Sequence, residues 1–75
     1  MKLRNLKVSE TGLVTGYSCT HCAYRQKLLH MGLTKGAPFT VVRKAPFGGP
    51  IEVEVRGSRV VLRSDEADVL EVEKQ

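Results

Sequence analysis

The 75-residue sequence has no tryptophan and only two phenylalanines and two tyrosines. A core built from aromatic rings is therefore excluded, and the interior has to consist of valine, leucine and isoleucine. Few aromatics also argue against binding nucleic acid by base stacking. A chain of this length forms one small core, so we expect a single domain over residues 1–75. Such a domain is marginally stable and often depends on a metal, a disulfide or a partner subunit.

Long hydrophobic runs are also missing, because the longest contain two or three residues, as at positions 60–62. A membrane-spanning helix needs about 20 apolar residues, so direct membrane insertion is not expected. No hydrophobic run of signal-peptide length follows Met1. We therefore expect a cytoplasmic protein whose two cysteines, Cys19 and Cys22, are reduced, reactive or metal-bound rather than disulfide-linked.

Acidic residues are scarce in most of the chain. Residues 1–63 contain eleven basic and three acidic side chains, a net charge of +8, whereas residues 64–75 contain one basic and five acidic side chains, a net charge of −4. The ordinary interpretation is a solvated surface with an acidic end. The alternative is a basic face that binds an acidic partner or nucleic acid.

Alternating apolar residues and turn residues predict a small, strongly bent barrel. Five strands are predicted, over residues 12–17, 39–42, 51–56, 59–63 and 69–72. One helix is predicted over 21–31, with Thr20 as its N-cap and Gly32 as its stop. Gly57-Ser58 is predicted to form a type II′ hairpin turn, and Ser64 to cap a short helical turn over 64–67.

Residues 45–50, Ala-Pro-Phe-Gly-Gly-Pro, form the most unusual segment of the sequence. Proline fixes φ and glycine supplies positive φ, so the segment predicts a stiff, sharply bent connector between two strands. Phe47 lies at its tip, where it either folds back on the core or contacts a partner. Loops of this kind often present residues for binding.

Two segments occur in a specific order and spacing. Residues 24–33 read Tyr-Arg-Gln-Lys-Leu-Leu-His-Met-Gly-Leu and are followed by Gly36, and Val42-Arg43 leads into the 45–50 loop. Together they resemble the FeoA family, small cytosolic proteins of bacterial ferrous iron uptake, whose members have a Met-Gly-Leu helix exit and an Ala-Pro-Leu-Gly-Asp-Pro loop. Gly49 departs from the aspartate common in the family, and His30 from an acidic or small polar residue.

The resemblance implies a mainly β, SH3-like five-stranded barrel with one α-helix inserted after the first strand. It also implies docking on the cytosolic region of the membrane ferrous iron transporter FeoB, which has a GTPase domain. Of the arginines, Arg25 and Arg43 are the candidates for acting on the partner's nucleotide. The helix stripe itself is predicted to be mostly core. The residues expected to contact the partner are Tyr24, Arg25, Leu29, Met31, Leu33, Pro46, Phe47, Gly48 and Pro50.

Cys19-Thr20-His21-Cys22 is the segment with the most metal-binding character. Cys-x-x-Cys spacing lets two thiolates bind one zinc or ferrous ion, and His21 could add a nitrogen ligand. His30 would lie roughly 12 Å further along a helix, too far to share the ion. A redox-active pair and a plain loop remain alternatives, and a metal shared by two chains would give a homodimer.

No catalytic arrangement is visible, because no serine has the sequence context of an activated nucleophile and no glycine-rich phosphate loop is present. We therefore expect a protein that is not an enzyme and requires no cofactor. Three hypotheses follow: a docking module of ferrous iron uptake, a small zinc- or iron-binding protein that uses Cys19, His21 and Cys22, and a nucleic-acid-binding SH3-like module.

Overall fold

A computed structural model of the chain describes residues 2–18 and 23–75, and five strands in one antiparallel sheet dominate it. Helix α1 lies between the first two strands, helix α2 precedes the last strand, and a short 3-10 turn, Leu3–Asn5, precedes the first. The elements are β1 (Thr11–Tyr17), α1 (Ala23–His30), β2 (Pro38–Lys44), β3 (Ile51–Val55), β4 (Ser58–Leu62), α2 (Ser64–Val69) and β5 (Leu70–Lys74).

The strands are ordered β4-β3-β2-β1-β5, so β4 and β5 lie at the two ends of the sheet. Two register shifts interrupt the ladders, one between Val14 and Gly16 and one between Val41 and Arg43. Such irregularities bend a strand and increase its twist, which is the curvature that a small barrel-like sheet requires. Beyond the second shift, the end of β2 lies beside the N-terminal 3-10 turn, and the 45–50 loop follows it.

The core is aliphatic, as predicted, and Phe39 is its one aromatic residue among those described. Alternation along β3 turns Ile51, Val53 and Val55 inward, and the N-terminal turn adds Leu3 and Leu6. Gly12 makes room for the ring of Phe39, because a Cβ at this position would lie 2.9 Å from Phe39 Cζ and 3.0 Å from the Glu73 carbonyl oxygen. Glycine here lets β1 pack closely on the ring.

Helix α1 ends in a Schellman motif at the Met-Gly-Leu sequence. Gly32 has φ +89°, the Leu33 N–H donates to the Leu28 carbonyl at 3.0 Å, and the Gly32 N–H donates to the Leu29 carbonyl at 3.1 Å. Leu28 and Leu33 are both fully buried, which is the apolar contact typical of this cap. The predicted stop at Gly32 is confirmed, whereas Thr20 lies outside the described residues.

One predicted turn and one predicted helix cap are each displaced by one residue. The β3–β4 turn is formed by Arg56 and Gly57, with φ of 52° and 82°, and not by Gly57 and Ser58. Since Val55 pairs with Ser58, this is a two-residue turn of type I′ geometry rather than type II′. The N-cap of α2 is Arg63, whose N–H donates to Glu66 Oε1 at 3.0 Å, rather than Ser64.

In the part of the chain that the structure describes, no helix is both long and apolar enough to cross a membrane.

Candidate functional site: a protruding loop and the cleft beside it

The loop of residues 45–50, here called the Phe47 loop, is a closed hairpin connection between β2 and β3. The Ala45 N–H donates to the Pro50 carbonyl at 2.9 Å and continues the ladder beyond the last strand pair. The Gly49 N–H donates to the Pro46 carbonyl at 3.3 Å. Phe47 and Gly48, the two central residues of this inner turn, have φ of 60° and 74°, as type I′ geometry requires.

Phe47 projects completely into solvent from the tip of this loop, with a relative exposure of 104%. Its backbone is also left-handed, a conformation that costs a residue with a Cβ about 1–2 kcal/mol. The ring gains nothing from burial to offset this cost. A large apolar side chain held outward at a strained position is an observation that favours a binding role.

Close packing around Gly49, as well as the positive φ angles, determines the shape of the Phe47 loop. A Cβ added to Gly49 would lie 2.7 Å from Ala45 Cβ and 3.3 Å from the Pro46 carbonyl oxygen. In this conformation the loop therefore requires glycine at position 49. Pro46, Gly48 and Pro50, three of the residues expected to contact a partner, are exposed.

A cleft of about 310 Å³ lies beside the Phe47 loop. Lys44 spans from the end of β2 to the N-terminal turn, where its Nζ donates to the carbonyls of Arg4 at 2.7 Å and Leu6 at 3.0 Å. Arg4 in turn donates to Asp68 Oδ2 at 2.6 Å. The cleft is lined by Arg4, Lys44, Ala45, Gly48, Gly49, Ile51, Ser64, Ala67 and Asp68. Its lining therefore combines charged and apolar residues.

Helix α2 connects this cleft to α1. On the α1 side, the Tyr24 hydroxyl donates to Asp65 Oδ2 at 2.7 Å, and Lys27 Nζ lies 2.5 Å from Glu66 Oε2. The Tyr24 hydroxyl is the main reason that the pKa of Asp65 is lowered, and the Lys27 ammonium is the main reason that the pKa of Glu66 is lowered. Both carboxylates are thus held ionised, and they tie α1 to the helix that forms one wall of the cleft.

The predicted helix contacts are only partly accessible. Tyr24 and Arg25 are exposed, and Leu29 and Met31 are half-buried. Arg25 lies over the Tyr17 ring, with its Cζ 5.7 Å from the ring centroid. Burial raises the pKa of Tyr17, whose hydroxyl donates to the Leu33 carbonyl at 2.5 Å.

Leu33 is the exception among these residues, and the prediction that it contacts a partner is wrong. Its side chain is completely buried. The Schellman motif brings the residue after Gly32 back onto the core, so Leu33 stabilises the end of the helix.

Sequence reasoning missed the cleft residues Arg4, Lys44, Ser64 and Asp68, because they are scattered over the chain and share no motif.

Arg43, the second candidate for a nucleotide contact, has a side chain 77% exposed, with its Nε 3.8 Å from Glu52 Oε1. Cys19, His21 and Cys22 lie outside the described residues, so the metal site stays a prediction. Within residues 2–18 and 23–75, no group of three His, Cys, Asp or Glu side chains could hold a metal ion.

A family model described as the FeoA domain matches residues 1–74. The chain belongs to the FeoA family. The family is associated with ferrous iron transport, and the resemblance found in the helix exit and the 45–50 loop is confirmed.

Solved structures agree with this assignment. The crystal structure of an iron uptake regulatory protein, FeoA, is 32% identical, with a TM-score of 0.87 over 100% of this chain and 96% of the other. FeoA from Chlorobium tepidum is 38% identical, with a TM-score of 0.86 over 99% of this chain and 70% of the other. FeoA from Stenotrophomonas maltophilia, an SH3 domain protein complexed with zinc, is 30% identical, with a TM-score of 0.83 over 97% and 89%. The predicted SH3-like fold class is thereby confirmed.

Proposed function

We propose that this FeoA-family chain is a cytosolic, non-enzymatic accessory protein that docks on the cytosolic region of a FeoB-type ferrous iron transporter. Membership of a family associated with ferrous iron transport supports the pathway. The docking itself is supported by the Phe47 loop, a preformed protrusion that ends in a fully exposed aromatic ring.

The conformation of Phe47 is the observation on which the proposal rests. Aromatic residues are enriched at protein interfaces, where they fill pockets of the partner. A side chain that is already extended and held by a closed hairpin loses little conformational freedom on binding. The exposed edge of α1, with Tyr24 and Arg25, offers a second contact region, joined to the first through α2.

The test compares wild type with the substitution Phe47→Asn. The measured quantity is the affinity of each for the isolated cytosolic domain of the transporter from the same organism. Asparagine tolerates the left-handed backbone, so the free energy of unfolding should stay equal or rise by up to about 1 kcal/mol. Isothermal titration calorimetry should show at least a tenfold weaker affinity for Phe47→Asn. Val61→Asn is the matched control, because Val61 is an exposed apolar residue (56%) on β4, outside the loop and the cleft.

Equal affinity of wild type and Phe47→Asn would overturn the proposed contact. So would an equal loss in Val61→Asn, because the effect would then reflect general surface hydrophobicity. A drop in stability of Phe47→Asn would show that the ring packs against the protein in solution, which also contradicts the proposal.

Metal binding is the second candidate function, and the zinc complex of the Stenotrophomonas maltophilia relative favours it. In this chain it would depend on Cys19, His21 and Cys22. The two candidate functions use different residues of the chain, so one does not exclude the other.

A further inference from the structure

We infer that the cleft beside the Phe47 loop receives an acidic side chain of the docking partner, with the Lys44 ammonium as its counter-charge. The inference rests on the proposed function, because it specifies the chemistry of the partner surface that Phe47 contacts. It assigns a recognition role to a residue that no sequence motif singles out.

The ammonium of Lys44 is fixed in position by neutral groups. Its two hydrogen bonds go to carbonyls, those of Arg4 and Leu6. Among residues 2–18 and 23–75, no carboxylate oxygen lies within 4.0 Å of Lys44 Nζ. An ammonium has three N–H donors, so one remains for a further acceptor.

Comparison with other lysines makes this arrangement unusual. The ammonium groups of Lys2, Lys27 and Lys74 each lie 2.5–2.6 Å from a carboxylate oxygen. Lys35 has no such partner in the described part of the chain but is exposed to water, whereas Lys44 is half-buried. Partial burial weakens solvation of a charge, so an incoming carboxylate gains more at Lys44 than at a fully solvated lysine.

The cleft has the size and charge for such a group. Arg4 and Lys44 contribute two positive charges and Asp68 one negative charge, which leaves a net charge of +1. A volume of about 310 Å³ is at the lower end of the range for ligand-binding clefts. Ile51 and Ala67 supply apolar surface for the methylene groups of the entering side chain.

The position of the cleft links it to Phe47. Gly48, the residue that follows Phe47, lines the cleft, as does Gly49. A partner surface that accepts the Phe47 ring therefore also lies close to the cleft. The partner is thus expected to have an apolar pocket with an aspartate or glutamate beside it.

The experiment measures the affinity of wild type and the variants Lys44→Met, Lys44→Arg and Lys35→Met for the transporter's cytosolic domain at several salt concentrations. Lys44→Met keeps the aliphatic stem and removes the charge, so affinity should fall about tenfold and depend less on salt. Lys44→Arg keeps the charge and should retain most of the affinity. Lys35→Met should match wild type.

Unchanged affinity and salt dependence in Lys44→Met, with binding still lost in Phe47→Asn, would overturn this inference and leave the proposed function intact. Binding that is undisturbed in both variants would overturn both. If thermal unfolding shows that Lys44→Met is poorly folded, the salt dependence of the affinities of wild type and Lys44→Arg provides the test. Affinities independent of salt would then contradict a carboxylate in the cleft.

Discussion

At the scale of single residues, Glu66 is the one buried charged residue in the described structure, and Lys27 is its ionic partner. The Glu66 side chain is 3% exposed, and it accepts from Lys27 Nζ and from the Arg63 N–H. A buried carboxylate is stable only while such partners compensate for lost hydration. The pair therefore contributes to holding α1 against α2.

We predict that Lys27→Met lowers the free energy of unfolding by about 1–2 kcal/mol near neutral pH, because it leaves Glu66 without its main partner. The folded-state pKa of Glu66 lies below its ordinary value of 4.5, so the pair stabilises the fold above about pH 4.5. This contribution is lost as the pH falls through the lowered folded-state pKa. Urea unfolding across this range measures the difference between the two proteins.

The matched control is Lys35→Met, which removes an exposed lysine that has no carboxylate partner among the described residues. It should change stability by little at any pH. A Lys27→Met defect that stays constant from neutral pH to about pH 3 would contradict the assignment to Glu66.

Gly49 sets the shape of the Phe47 loop, and we predict that Gly49→Ala lowers the free energy of unfolding by about 1–3 kcal/mol. The added Cβ would lie 2.7 Å from Ala45 Cβ. The double variant Ala45→Gly/Gly49→Ala removes the opposing methyl group and should recover much of the loss. Gly16→Ala is the control, since a Cβ at this position would meet no described atom within 4 Å beyond its chain neighbours. Chemical denaturation measures the free energy of unfolding of each variant. If the double variant does not recover the stability lost in Gly49→Ala, the steric explanation is refuted.

At the scale of elements, the Met-Gly-Leu sequence at the end of α1 shows which structural features a motif predicts and which can be misinterpreted from it. The positive φ of Gly32 was predictable, because glycine commonly ends helices in this way. The burial of Leu33 follows from the same motif, since the residue after the glycine returns to the core. Interpreting these residues as a contact motif led to the prediction that Leu33 is accessible, whereas its geometry assigns it to packing.

The β3–β4 turn shows a limit of local sequence information. Both Arg56-Gly57 and Gly57-Ser58 are plausible two-residue turns, and a choice between them requires the strand register. Pairing of Ile51 with Leu62 and Val53 with Val60 keeps these residues on the inner face and places the turn at Arg56-Gly57. Alternation alone predicted the inward residues of β3, but it did not predict where the chain reverses.

We predict that Arg56→Asn raises the free energy of unfolding by about 0.5 kcal/mol, since Asn-Gly is the preferred pair for a type I′ turn. The variant loses one exposed hydrogen bond, from Arg56 to Thr34 Oγ1 at 3.2 Å. Ser58→Asn should be neutral or slightly destabilising, because Ser58 lies in β4 and asparagine is depleted in strands. Thermal unfolding distinguishes the two turns: stabilisation by Ser58→Asn alone would favour a turn at Gly57-Ser58.

At the scale of the whole molecule, the fold class was predictable and the cleft was not. Periodic apolar residues and two motifs predicted five strands and a helix after the first, because these signals are local. The cleft brings together residues as distant along the chain as Arg4, Lys44 and Asp68. No local pattern links such positions, since their proximity follows from the packing of β2, α2 and the N-terminal turn.

The placement of aromatic rings weighs against nucleic-acid binding, the third hypothesis. Of the four aromatic residues, Phe39 is buried, Tyr17 is half-buried and only Tyr24 and Phe47 are exposed. The Tyr24 hydroxyl bonds to Asp65, while Phe47 lies on the loop at the other side of the cleft. Stacking of successive bases needs neighbouring exposed rings, so the placement of these rings does not favour nucleic-acid binding.

The cysteine segment leads to a prediction for the whole molecule that zinc titration can test. Two thiolates and one imidazole from Cys19, His21 and Cys22 leave a tetrahedral zinc ion one ligand short, so water or a second chain has to complete it. We expect wild type to bind zinc and Cys19→Ser/Cys22→Ser to lose it. Sedimentation velocity with and without zinc then distinguishes the two completions, since only completion by a second chain converts monomer to dimer. His30→Gln is the control, because this residue is the last of α1 and is not part of the cysteine segment. Zinc binding that survives in the double serine variant, or that disappears in His30→Gln, would contradict a site built on the cysteine pair.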